Sequence, residues 1–199
     1  MKSFVFVLII FLPVLTFAQV QQGRSFVSGG VSFNSNSPDD PQPGSTQKFT
    51  RFEANAMYGF MFADSWAIGI SPAYSSQLQI ITDDSKNHSN SFGIGPFVRK
   101  YFSLNDKFYF HLDLGYMYNR QKDFSESSLG ENGPVSKSTS NVVALTPGAS
   151  YFISDRVALT AMLGKLSYGK FKNSANSNSS SFEMNFGISS FSLGASVFF

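Results

Sequence analysis

Few side chains here can do acid–base or nucleophilic chemistry, and they are scattered. The two histidines are His88 and His111. His88 lies in Asn87-His88-Ser89-Asn90, with Ser91 one residue further, and His111 is followed two residues later by Asp113. A hydroxyl nucleophile needs a base in hydrogen-bond reach and a third group to orient that base. Spacing fixes no carboxylate beside His88, which reads as a solvated loop histidine. Two separated imidazoles make no metal pattern, and the absence of cysteine removes thiolate zinc sites and disulfides. Asp39-Asp40 and Asp83-Asp84 read as solvated acidic turns, with a loose divalent cation as the alternative. The charges inside patterned segments are Arg51, Glu53, Arg99, Asp113 and Glu183. Charges withdrawn from water must be paired, and Arg51–Glu53 and Arg99–Asp113 are natural partners. No cofactor is expected.

What must position these residues is an alternation of period two, the signature of strands with unlike faces. Positions 52, 54, 56, 58, 60 and 62 read Phe, Ala, Ala, Tyr, Phe, Phe, and the residues between them begin Arg51, Glu53, Asn55. The pattern recurs from Trp66, from Phe92 and from Phe108, and more weakly over 24–35, 139–153 and 156–170. The final segment, 181–199, changes phase: Phe182, Met184, Phe186 and Ile188 share one face, then Phe191, Leu193, Ala195, Val197 and Phe199 take over. A one-residue slip flips every side chain, so a β-bulge is expected at Ser189-Ser190. These segments make eight strands. Long polar connections (36–47, 79–90, 120–138, 171–180) alternate with tight turns at 63–65, 103–106 and 154–155.

Of the 199 residues, 16% are aromatic and only 14% charged, against roughly 25% charged in ordinary soluble domains. A net charge of +2 provides no basic field for nucleic acid. Residues 1–18 read as a secretory signal: Lys2, an apolar run from Phe4 to Phe17, and the small residues Thr16 and Ala18 before the cut. The mature chain is then residues 19–199.

Four features separate a membrane barrel from a soluble sandwich. The polar face is small (Ala67, Gly69, Ser71; Gly93, Gly95; Thr146, Gly148, Ser150), which suits the interior of a narrow barrel. Long and short connections alternate, as in outer-membrane barrels. Aromatics form two belts: one beside the short turns, with Phe60, Phe62, Trp66, Phe102, Phe108 and Tyr151 and also Tyr101, Phe110, Phe152, Phe198 and Phe199; the other near the long loops. The strands also reach the ~9–11 residues that a tilted crossing needs. Closure would leave no strand edge in lipid. The fold class expected is all-β: an eight-stranded antiparallel transmembrane β-barrel. In it, Arg51, Glu53, Arg99, His111, Asp113 and Glu183 fall on the lumen parity. An eight-stranded barrel is just wide enough for side chains to fill, so a plug outweighs a continuous polar track. Lys100 falls on the lipid parity at the rim, where its chain can snorkel.

Gly95-Pro96-Phe97-Val98-Arg99-Lys100-Tyr101-Phe102 resembles the fourth-strand segment of the small outer-membrane β-barrel domain (porin-family) proteins of Gram-negative bacteria. Leu145-Thr146-Pro147-Gly148-Ala149-Ser150-Tyr151-Phe152-Ile153-Ser154-Asp155-Arg156-Val157-Ala158-Leu159 resembles their strand-six to strand-seven hairpin. Phe199, with Leu193, Ala195 and Val197 on its face, is similar to the C-terminal signal such proteins present to the barrel assembly machinery. The resemblance implies residence in the cell outer membrane, among outer-membrane lipid and lipopolysaccharide. It carries no shared catalytic residues.

Some small barrels of this membrane modify lipid A. The deacylase pattern has Ser two residues after its His, where this chain has Asn90. The function expected is therefore a non-enzymatic integral outer-membrane protein, structural or making surface contacts through its outer loops, and a monomer. The alternatives are a narrow porin-like channel for small solutes and a lipid-modifying enzyme. Lys122, Lys137, Lys170 and Lys172 stand where they would meet lipopolysaccharide phosphates.

Overall fold

The computed structural model describes residues 20–37, 48–82, 85–127, 136–173, 177–186 and 192–199. The signal segment, both Asp-Asp pairs and the bulge expected at Ser189-Ser190 lie outside the described residues. The strand segments are β1 Ser25–Asn36, β2 Lys48–Ala63, β3 Trp66–Thr82, β4 Ser85–Ser103, β5 Phe108–Ser127, β6 Ser136–Phe152, β7 Val157–Met162, β8 Lys165–Lys172, β9 Asn178–Asn185 and β10 Ser192–Phe198.

These segments form a closed eight-strand antiparallel barrel. β7 and β8 are two halves of the seventh strand, both paired to β6. β9 and β10 are two halves of the eighth, and β10 closes the ring on β1. The seventh strand breaks at Leu163-Gly164. Gly164 has φ +137°, a conformation that disfavours a side chain, while the Leu163 amide still donates to Pro147 O at 2.9 Å. The break swaps the faces: Ala158 and Thr160 point inward before it, Ser167 after it.

The tight turns behave as turn chemistry dictates. Asn105 Oδ1 accepts from the amides of Lys107 and Phe108 at 3.0 and 2.8 Å. Ser154 Oγ accepts from the Val157 amide at 3.2 Å. Both are side chains mimicking a backbone turn.

The opposite end differs from expectation. Residues 79–82 and 85–90 are strand instead of loop: β3 and β4 stay paired through Ile80↔Lys86 to Thr82↔Ser85. Much of 120–138 and 171–180 is also strand, with pairing out to Asp123↔Ser136 and Lys172↔Asn178. β5 has 20 residues, which at ~3.4 Å per residue and a ~40° tilt rises about 50 Å. The apolar band of such a barrel is ~25 Å tall, so the β3–β4 and β5–β6 hairpins stand well outside the membrane. Both faces are wet there and nothing enforces alternation, so the sequence looks like loop while the backbone remains laddered.

Closure also has an unexpected seam. β1 pairs with β10 only over Phe26–Gly29, and β9 has β8 as its sole neighbour among the described strands. Among the described residues, no ladder joins Gly30–Asn36 of β1 to β9 or β10. Outward side chains along β3–β5, such as Trp66, Ile70 and Phe92, are 39–53% exposed; Val31, Phe33, Phe182 and Met184 beside the seam are 69–77% exposed.

Candidate functional site

The lumen is filled at the short-turn end. Phe26, Met61, Ala67, Phe97, Tyr101, Tyr109, Phe152, Ala158 and Phe198 are buried there, with Val20 sealing the mouth. Alternation supplies most of them, because each strand sends every second residue inward. Ring contacts knit the layer: Phe26–Phe198 at 5.2 Å, Phe152–Phe198 at 5.0 Å and Tyr109–Phe152 at 5.3 Å between centroids. Tyr101, Phe152 and Phe198, expected in the membrane belt, point inward instead. They occupy the inward parity of their strands, and nearness to the turn does not change which face a residue takes. Phe60, Phe62, Trp66, Phe102 and Tyr151 stand on the outer face, and Phe108 is half-buried. Lys100 Nζ lies 4.8 Å from the centre of the Trp66 ring.

At the centre of the plug is a charge pair. Register places Arg99 opposite Asp113. Arg99 Nε donates to one carboxylate oxygen at 2.6 Å and Nη2 to the other at 2.7 Å, the bidentate geometry of a guanidinium–carboxylate fork. The two side chains are 0% and 9% exposed. Nη1 donates to the Tyr101 hydroxyl at 3.2 Å. The guanidinium also lies 5.3, 5.8 and 5.6 Å from the rings of Phe26, Phe97 and Tyr101. Aromatic faces thus surround a cation whose charge is matched.

Beside this pair runs a chain of hydroxyls. Ser150 Oγ shares a hydrogen bond with His111 Nδ1 at 3.3 Å and approaches Thr160 Oγ1 at 3.5 Å; Thr160 Oγ1 meets Ser196 Oγ at 3.0 Å. His111 Nε2 is buried with no hydrogen-bond partner. It faces Gly148, where a Cβ would run into the imidazole. Sequence reasoning did not single out Ser150, Thr160 and Ser196 as a connected group, since their connection depends on the β6–β7 and β7–β10 registers. Asp113 gives both oxygens to Arg99, so no carboxylate orients His111 as a base.

The remaining lumen charges sit higher and apart. Arg51 Nη2 and Glu53 Oε1 are 2.6 Å apart and half-exposed. Glu183 meets Lys165 Nζ at 3.5 Å, a partner the sequence reading did not name. Above the plug the lumen opens into cavities of about 240 Å3, lined in part by Glu53, Asn55, Met57 and Thr160, and about 430 Å3, lined in part by Arg51, Gln77, Gln79 and Gln121. Among the described residues the interior is therefore a polar cup, open at the hairpin end and stoppered at the turn end.

His88 is not the solvated loop residue expected. It lies in β4, stacked on Phe124 with ring centroids 4.6 Å apart and planes 1° from parallel. Its Nε2 is 3.5 Å from Glu126 Oε2, an ion-pair distance without hydrogen-bond alignment. Hairpin pairing brings these side chains together across a long sequence gap. Among the described residues no cluster of three or more His, Asp or Glu could hold a metal ion. Leu193, Ala195 and Val197 lie on β10, with Leu193 and Val197 exposed on its outer face, and Phe199 follows the strand, its amide donating to Ser25 O at 2.9 Å.

Among solved structures, the chain is similar to Neisserial surface protein A (TM-score 0.47, 13% identity, covering 88% of this chain and 97% of that one). It is similar to Ail, the attachment invasion locus protein of Yersinia pestis (0.46, 14%, covering 90% and 100%). It is also similar to the outer membrane protein OprG from Pseudomonas aeruginosa (0.45, 15%, covering 90% and 97%). No curated protein matches it. The family model described as "Outer membrane protein beta-barrel domain" matches residues 4–199. With a closed eight-strand ring, an apolar outer face and an inward-facing charge pair, the chain belongs to the outer membrane protein β-barrel domain family and is an outer-membrane protein of the Gram-negative type.

Proposed function

We propose that this protein is a non-enzymatic, non-conducting barrel that works through the surface it holds outside the membrane, in a structural or surface-contact role. The observation that supports this is the stopper: a bidentate Arg99–Asp113 pair embedded in Phe26, Phe97 and Tyr101 across the lumen. A hydrated solute path would require these groups to separate, leaving a buried charge uncompensated. The long β3–β4 and β5–β6 hairpins fit a scaffold that lifts a surface away from the bilayer. An enzymatic role lacks a base with an orienting carboxylate at His111.

Liposome swelling tests the proposal. Vesicles carrying the refolded protein are expected to swell in small sugars no faster than empty vesicles. Swelling that scales with protein content would overturn it.

The polar cup above the plug favours a second reading, a narrow porin-like channel for small solutes. Under that reading, small solutes would enter from the outer end and cross only when the plug rearranged.

A further inference from the structure

The outer wall of β5, β6, β8 and β9 carries a sharp chemical boundary. Its rows follow from the pairing register of the four strands. The two lower rows are Leu114–Leu145–Leu166–Met184 and Tyr116–Val143–Tyr168–Phe182, apolar and aromatic throughout. The next two are Tyr118–Asn141–Lys170–Ser180 and Arg120–Thr139–Lys172–Asn178. One step higher on two of the strands, Lys122 stands directly opposite Lys137. Within one residue spacing the wall passes from acyl-chain chemistry to cations, amides and hydroxyls.

A concave site lies on this boundary. A cavity of about 500 Å3 is lined by Thr139, Asn141, Tyr168, Lys170, Lys172 and Ser180, among others. Lysines, neutral hydrogen-bonding groups and an aromatic ring together suit a phosphorylated sugar, with the cations taking the phosphate and the amides and hydroxyls the sugar. The carboxylates of the neighbouring strands are engaged elsewhere. Asp123 accepts from Gln121 at 2.9 Å, Glu126 lies 3.5 Å from His88, and Glu183 lies 3.5 Å from Lys165.

The geometry points to a binding site for the phosphorylated glycolipid headgroup of the outer leaflet on this wall, with Lys170 and Lys172 holding phosphate, Arg120 extending the same row, and acyl chains lying along Tyr168, Leu166 and Val143. The site is on the outside of the barrel and holds whether or not the lumen conducts.

The test uses the full refolded chain in detergent with three probes: bisphosphorylated lipid A, the same lipid without its phosphates, and inorganic phosphate. A cation at a membrane surface contributes about fivefold to binding an anionic headgroup. The wild type is expected to hold the bisphosphorylated lipid at least ~10-fold more tightly than the dephosphorylated one. Lys170→Gln/Lys172→Gln is expected to lose roughly 25-fold and Arg120→Gln about fivefold. Lys107→Gln, in the turn at the other end of the barrel, is expected to bind as wild type does. All variants are checked for the heat-modifiable mobility of a folded barrel. The proposal is overturned by a folded double variant that binds normally, by equal binding of the dephosphorylated lipid, or by inorganic phosphate displacing the lipid at matched concentration. The last result would mark a free-anion site instead.

Discussion

Arg99 and Asp113 face each other across β4 and β5 with both guanidinium–carboxylate bonds made, at 2.6 and 2.7 Å, inside a layer of aromatic rings. Removing one partner strands the other charge where water cannot reach it, which costs about 3–5 kcal/mol. Asp113→Asn is therefore expected to lower the stability of the folded barrel by about that amount in urea titrations into vesicles. Arg99→Met/Asp113→Leu, which removes both charges, should cost clearly less. A double variant no more stable than Asp113→Asn would show that the pair does not act as a unit.

The ring of Phe26 occupies the space above Gly59, where a Cβ would collide with it. Gly59→Ala is expected to destabilise the barrel by about 1–3 kcal/mol through overpacking. Adding Phe26→Leu, which withdraws the ring edge, should recover part of that loss. If the two changes simply add, the contact is not what excludes the side chain.

Which of these relationships the sequence discloses follows from the membrane. Between the belts, lipid on one side and a narrow lumen on the other enforce period two, so the parity of Arg99, His111 and Asp113 is legible from spacing, which sets Arg99 against His111 or Asp113, and charge favours Asp113. The flip at Leu163-Gly164, where odd Val157, Leu159 and Leu163 give way to even Leu166 and Tyr168, lies inside a segment, 156–170, that reads as one weakly alternating strand. Above the belts that constraint lapses, and the β3–β4 hairpin with His88 and Phe124 looks like loop. Belt and plug aromatics beside the turns share one composition, so Tyr101, Phe152 and Phe198 are told apart from Phe102 and Tyr151 only by parity. The Ser150–Thr160–Ser196 chain depends on register across three strands, which no local pattern encodes.

The unladdered seam makes a dynamic prediction. Among the described residues, no strand pairs with Gly30–Asn36 or Asn178–Met184 on the seam side, and amides outside a ladder open at lower free energy than a laddered core. Hydrogen exchange in vesicles is expected to be faster in these segments than in Ile68–Tyr74 or Ile94–Val98. Uniform protection around the barrel would mean that the seam is paired in the membrane.

His88 stacks on Phe124 beside Glu126, and His111 is packed against Gly148. Neither has the base-and-orienter geometry of a hydrolase. Cells carrying His88→Ala or His111→Ala are expected to show a lipid A mass profile identical to wild type. A lipid A species that disappears in either variant, at normal protein level, would establish a catalytic role.

Single-channel recording in planar bilayers tests the stoppered lumen most directly. The wild-type barrel is expected to give no regular conductance steps, and a variant that thins the plug, Phe26→Ala/Phe198→Ala, should give small steps if it remains folded. Regular steps from the wild type, altered in size by Arg99→Gln or Glu53→Gln, would contradict the account and make the lumen a channel.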